Sequence, residues 1–265
     1  MAPASAAATR DDYVRFCQGI HALTRIDLLQ YKRAQMERRI RSFAQQRGAT
    51  GLPTYLDQLK RSSTELDAFL DRVTINVSQL WRNPEQWQVL ARELVPTLAA
   101  TGRIRAWSAW CSYGAEAYTV AATCLTVAPD VRCEVIGTDI DQRMVARARE
   151  GVFSVEDART APAASLERWF ERFEGGYRAR SELRRHLRFE IGDLLVDRVR
   201  VAAYDLVLCR NVVIYFTEPV RDDLHRRLAE SVRPGGFLIV GATERIADAA
   251  GCGLEPVSAF TYRKR

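Results

Sequence analysis

The sequence predicts an α/β protein with a doubly wound, Rossmann-like sheet, a small all-helical front and a small antiparallel β insertion. Three observations predict it. The first seventy or so residues carry helical periodicity with no strand-like run. After Pro96, apolar β-type runs alternate with helix-like segments, the signature of a parallel sheet covered on both faces. A short polar stretch around Gly175–Gly176 breaks that alternation.

In the front, DDYVRFCQGIHALT (11–24), QYKRAQMERRIRSFAQQRG (30–48), TYLDQLK (54–60) and STELDAFLDRV (63–73) follow one another, with Gly48, Gly51 and Pro53 as punctuation. On the second helix Met36, Ile40, Phe43 and Ala44 share one face. Arg38 and Arg41 fall opposite, and Arg39 lies on the flank. That basic side fits either a solvated face on a core helix or a docking surface for an acidic partner.

In the body the apolar runs are RIRAWSAWC (103–111), CEVIGTDI (133–140), YDLVLCRNVVIYF (204–216) and GGFLIVGAT (235–243). Helices are expected over DQRMVARARE (141–150) and PVRDDLHRRLAESV (219–232). The expected division is a helical domain over 1–72 and an α/β domain over 73–265, with the antiparallel insertion at about 173–192, where Tyr177, Leu187 and Phe189 partly alternate.

A chain of 265 residues, 47% hydrophobic, has enough apolar surface to bury a core without staples. Its six cysteines include no CxxC pair and read as core thiols of a reducing compartment, with no metal site. No apolar run is long enough to cross a membrane, and the start lacks a signal-peptide pattern, so the expectation is a cytoplasmic protein without membrane insertion. Lys+Arg 39 against Asp+Glu 33 gives a formal charge of +6, which favours an acidic partner. Single-stranded nucleic acid is disfavoured, because the basic stretch has no interleaved aromatics on which bases would stack.

Ligands of doubly wound sheets sit at the carboxyl ends of the strands. The first run delivers Ser112, Gly114 and Glu116, the second Asp139 and Asp141, RFEIGDLL delivers Asp193 and Leu194, and the YDLVLC run delivers Arg210, Asn211 and Tyr215. Asp139, at the end of the second strand, is placed to accept from both hydroxyls of an adenosine ribose. SYGAEAY is not GxGxxG: one glycine remains, and Glu116 follows where a pyrophosphate would need bare backbone donors. Alone, the loop fits a structural turn equally well. With the other strand-end residues it fits S-adenosylmethionine, which offers an adenosine, a sulfonium and an α-ammonium group and carries no phosphate.

These residues carry a family resemblance. WSAWCSYGAEAY, GTDID, DLL, CRNVVIYF and, upstream, TINVSQLWRNPEQW resemble, in the same order, the motif series of CheR-type chemotaxis receptor methyltransferases, and QYKRAQMERR resembles that family's front domain. The resemblance implies an S-adenosylmethionine-dependent methyltransferase fold. It implies methyl transfer to glutamate side chains on the cytoplasmic helices of chemoreceptors, giving γ-glutamyl methyl esters. Carried over by position, the cofactor contacts fall on Asn76, Ser78, Arg82, Glu116, Asp139, Asp193, Leu194, Arg210 and Asn211. Arg82 would hold the incoming carboxylate and Tyr215 would orient it, making these two the catalytic candidates. Arg38, Arg39 and Arg41 would dock the acidic receptor. The family's usual GEEPY reads GAEAY, with Ala115 and Ala117 in place of an acid and a proline, and a GHSE-like segment reads GATE at 241–244.

The resemblance also bears on the insertion: members that grip a pentapeptide tether at the receptor's C-terminus have a longer glycine-containing hairpin there. The short FEGGYRAR turn leads to the expectation that the protein works without the tether, and separately a monomer is expected. The rivals are a non-catalytic module binding S-adenosylmethionine or S-adenosylhomocysteine, and an O-methyltransferase for another carboxylate. A nucleic-acid methyltransferase is weaker still, because no NPPY-like motif occurs.

Overall fold

Helical periodicity in the front of the chain becomes α1 (Ala4–Thr24), α2 (Arg33–Gln46), α3 (Leu52–Arg61) and α4 (Ser63–Val73). The computed structural model describes residues 4–74 and 78–265, with side chains described from Asp12 onward. Gly51 and Pro53 open α3, and the Ser62 hydroxyl caps α4 by accepting from the Glu65 amide at 3.2 Å. Met36, Ile40 and Ala44 of α2 are buried as their spacing requires, and Phe43 is half-buried. Phe16, Tyr55 and Phe69 form the aromatic centre, with ring centroids 5.7–6.1 Å apart. The Tyr55 hydroxyl donates to Glu65 at 3.1 Å, and Arg47 grips the same carboxylate, holding it below the usual carboxylate range.

The described residues form two compact units, one within Met1–Asn76 together with Tyr215–Glu218, the other within Val77–Ile214 and Pro219–Arg265. The late segment joins the helices through its backbone. Lys32 N–H donates to the Tyr215 carbonyl at 2.8 Å, Thr217 N–H to the Gln30 carbonyl at 3.0 Å, and the Tyr31 and Phe216 rings lie 4.8 Å apart.

The second unit begins with α5 (Pro84–Val89), a π turn over Leu90–Leu94 and α6 (Val95–Ala99). There follow β1 (Arg103–Ala109), α7 (Ala115–Val127), β2 (Arg132–Asp139), α8 (Gln142–Glu150), β3 (Val152–Phe153), α9 (Ala163–Trp169), β4 (Phe170–Phe173) and β5 (Gly176–Ala179). Next come α10 (Ser181–Arg184), β6 (Leu187–Ile191), β7 (Tyr204–Cys209), α11 (Glu218–Ser231), β8 (Val232–Val240), β9 (Leu254–Ser258) and β10 (Thr261–Lys264). The large sheet is mixed, in the order β6-β2-β1-β7-β8-β10-β9. Its first five strands are parallel, and β10 and β9 close one edge antiparallel. α7 is apolar all round and buried from Ala117 to Leu125, so it is a core helix.

The insertion differs from its expected span of 173–192. The small antiparallel sheet is β3-β5-β4, so it draws in Val152–Phe153 and Phe170–Phe173, while Leu187–Ile191 extends the large sheet as the parallel neighbour of β2. Alternating apolar residues mark a half-buried strand without saying which sheet it joins, and Phe189 packs inward toward Gly114 and Gly137. The six cysteines are free thiols, five of them buried and Cys252 half-buried.

His225 of α11 is buried, neither ring nitrogen has a hydrogen-bond partner among the described residues, and burial pushes its pKa down to about 4. The unfolded chain takes up this proton near pH 6.5 and the folded chain only near 4. His225 therefore lets stability fall as pH drops through that window, by up to about 3 kcal/mol. Urea unfolding at pH 7.5 and 5 should show a smaller pH dependence in His225→Leu than in the parent protein.

Candidate functional site

The carboxyl ends of the strands are joined by loops with unusual backbone. β1 runs through Trp110 (φ +65°), Ser112 (φ +51°) and Gly114 (φ +88°) before α7 begins. A Cβ on Gly114 would lie 3.0 Å from that of Ala148 and 3.1 Å from the Phe189 ring, so turn and packing both require glycine. This reversal sets Glu116 in the first turn of α7, where it accepts from the Ser108 hydroxyl at 2.8 Å. Trp81 (φ +54°) and Asn83 (φ +59°) flank Arg82, and Asn211 (φ +61°) follows Arg210. Left-handed conformations at bulky residues persist only where surroundings impose them, and they concentrate at functional sites.

Arg210 ties three of these segments together. Its side chain is 3% exposed. Nη1 donates to Glu116 at 3.3 Å, Nε to Gln86 at 2.8 Å, and Nη2 to the Arg82 carbonyl at 2.8 Å and the Asn83 side chain at 3.2 Å. Its guanidinium also lies over the Trp87 ring. Burial pulls the Arg210 pKa down and Glu116 opposes that pull.

Asp139 closes the glycine loop. Its carboxylate is 2% exposed and accepts from the Ser112 amide at 2.8 Å and the Asp141 amide at 2.9 Å. Burial pushes its pKa up to about 6 against the pull of those backbone donors. A carboxylate offers about four lone-pair positions, so acceptor capacity remains. Asp141 caps α8 and pairs with Arg143 at 2.7 Å. The next loop is stitched to the same strand end, because Gly192 N–H donates to the Asp139 carbonyl at 3.0 Å. In it Asp193 accepts from the Leu195 amide at 2.8 Å, and Leu194 is buried.

Glu244 organises the fourth loop. One carboxylate oxygen accepts from the amides of Gly241 at 2.6 Å and Asn211 at 3.0 Å, the other from Val212 at 3.0 Å. Gly241 permits this approach, since a Cβ there would lie 2.6 Å from the Glu244 oxygen and 2.7 Å from the Asn211 nitrogen. Burial raises the Glu244 pKa, and the amide donors hold it down.

The structure thus brings together Arg82 (through its carbonyl), Glu116 and Arg210, and links Asp139 to the Ser112 and Asp193 loops. Ser78 offers its carbonyl to the Tyr113 hydroxyl. Asn76 lies outside the described residues. Tyr215 belongs to the helical unit. On α2, Arg38 is exposed and Arg41 pairs with Glu37 at 2.8 Å. Arg39 is half-buried, and burial together with the neighbouring Arg72 lowers its pKa. The roles of Ser108, Gln86 and Glu244 emerge only from the structure, although all three lie in motifs of the sequence and a lone serine inside the apolar run AWSAW was a readable signal for the first.

The donor set fits S-adenosylmethionine. Glu116, Asp139 and Asp193 are acceptors suited to ammonium and hydroxyl groups, Arg82 is a cation suited to a carboxylate, and the glycine turn leads to a carboxylate where a phosphate would be repelled. Glu244→Gln would turn an N–H donor toward backbone N–H groups in a buried site. It should cost about 1–3 kcal/mol of stability in denaturant unfolding.

Two family descriptions match the chain: "CheR methyltransferase, SAM binding domain" over residues 76–254 and "CheR methyltransferase, all-alpha domain" over residues 11–74. Among its relatives, the chemotaxis protein methyltransferase of Listeria innocua is 32% identical over 255 residues, covering 96% of this chain and 97% of the relative. That of Listeria monocytogenes shows the same identity and coverage. The chemotaxis protein methyltransferase of Salmonella typhimurium is 31% identical over 244 residues, covering 88% and 83%. With both parts matched in order and the glycine turn, buried acids and arginine hub in one arrangement, the chain belongs to the CheR methyltransferase family.

Proposed function

We propose that the protein transfers a methyl group from S-adenosylmethionine to the γ-carboxylate of glutamates on the cytoplasmic helices of a chemoreceptor, acting in the cytoplasm as a monomer. The observation that carries this reading is the strand-end arrangement of Glu116, Arg210 and Asp139, joined to family membership over both parts of the chain.

When bound, S-adenosylmethionine supplies an electrophilic sulfonium methyl. A glutamate is already ionised at neutral pH, so its attack needs no general base. What remains for the protein is alignment. Arg82, between two left-handed residues and with its carbonyl held by Arg210 and by the Trp87 indole at 2.7 Å, has a fixed backbone from which to meet the carboxylate. The assignment of the Tyr215 hydroxyl to orienting the carboxylate rests on the CRNVVIYF motif alone. Asp139 would accept from the ribose, Glu116 and the backbone of Arg210–Asn211 would hold the amino-acid end, and Asp193–Leu194 would hold the adenine; for Asn76 and Ser78 a cofactor contact rests on the NVSQLWR motif alone.

Base-labile methyl incorporation from labelled S-adenosylmethionine into a receptor cytoplasmic fragment tests the function. Incorporation in the parent protein and its loss in Asp139→Ala is the expected result. Cofactor binding without incorporation would mean a binding module instead.

Arg38, Arg39 and Arg41 are read as the docking face for the acidic receptor helices. Replacing all three by Glu, or Arg38 alone, should raise the KM for receptor fragment, by about tenfold in the triple variant, with unchanged cofactor affinity. Removing the fragment's C-terminal residues should leave the rate unchanged, and a matching loss of rate would establish a tether.

A further inference from the structure

α8 starts at the carboxyl end of β2 and returns, so its last turn lies toward the amino ends of the strands. There, a concavity of about 580 Å³ is lined by Arg149, Arg184, Arg185, Arg188 and Ser181, over Tyr118 and Phe189. No carboxylate lines it. Two of the guanidiniums are held by neutral acceptors: Arg149 donates to the Phe189 carbonyl at 2.8 Å, and Arg184 to the Arg149 carbonyl at 2.9 Å. Arg185 faces the His186 ring at 3.3 Å. Arg188 stands 3.7 Å from Glu134, a carboxylate it shares with Arg105 at 3.3 Å.

Four cations around one concavity repel one another, and among the described residues Glu134 is the single carboxylate paired with any of them. Guanidinium forks match phosphate oxygens bidentately, and the volume is that of a small-molecule site. A compact anion bearing several charges neutralises this set, whereas a single carboxylate does not. We propose that this concavity binds a small polyphosphate anion, of pyrophosphate or nucleotide type, separately from the cofactor cradle.

The test is calorimetric titration of the full-length protein, saturated with S-adenosylhomocysteine, with inorganic pyrophosphate and with magnesium-free ATP at physiological salt. Saturable one-to-one binding of either is expected, pyrophosphate alone marking a phosphate site and ATP alone a nucleotide site. Arg185→Glu/Arg188→Glu should weaken it by about tenfold or more with S-adenosylhomocysteine affinity unchanged, because charge-assisted contacts to the anion are lost. Arg61→Glu/Arg92→Glu, an equal charge change at exposed positions outside the concavity, should leave it unaltered. Absence of saturable binding, equal weakening in both double variants, or binding of a poly-glutamate peptide in place of both phosphates would each overturn the proposal.

Discussion

The buried pairing of Arg210 with Glu116 is the constraint on which the cofactor end of the body depends. It joins the residue that follows β7 to the first turn of α7, and the remaining guanidinium donors reach Gln86, Asn83 and the Arg82 carbonyl. Removing one partner of such a pair strands a charge in a dry site, at a cost of about 3–5 kcal/mol. The arrangement holds because every contact is made at once: Ser108 accommodates the second Glu116 oxygen, and Trp87 covers the guanidinium. The left-handed backbone at Asn83 is held by the same contacts, while the Trp81 amide is held by the Thr119 hydroxyl and the Asn211 amide by Glu244, which links local strain to the stability of the whole site.

The departure from GEEPY to GAEAY takes on a physical meaning in this setting. Ala115 and Ala117 are both 0% exposed. An acid at the first position would have to be buried and satisfied, and none is present to require it. Alanines instead let the first turn of α7 pack closely, while the remaining acid, Glu116, is the one engaged by Arg210. The turn keeps its shape through Gly114 and the Asp139 hydrogen bond to the Ser112 amide.

Much of this was legible in the sequence, because period and punctuation report burial. The four front helices, the parallel strands and the acids at strand ends follow from local patterns. What was not legible is pairing over distance. Glu244 could be noted as part of a motif, yet its three backbone partners span residues 211 to 241. Arg210 was assigned to the ligand by resemblance, while the geometry commits its side chain to the protein. The placement of Leu187–Ile191 failed for a related reason: alternation identifies a strand and is silent about its neighbour.

The addition of Tyr215–Glu218 to the helical unit concerns the order in which the chain can become native. Beyond their local hydrogen bonds to Asp27, Leu28, Gln35 and Met36, Gln30, Tyr31 and Lys32 meet residues that leave the ribosome some 180 positions later. The helices can form early, since their contacts are local. The edge at Gln30–Lys32 must stay open until β7 and the loop beyond it have been made. A chain cut after the front helices would lack that strip of backbone partners altogether. Autonomy of the helical unit is therefore incomplete by construction: its last pieces are supplied by the motif that ends the fourth parallel strand of the body.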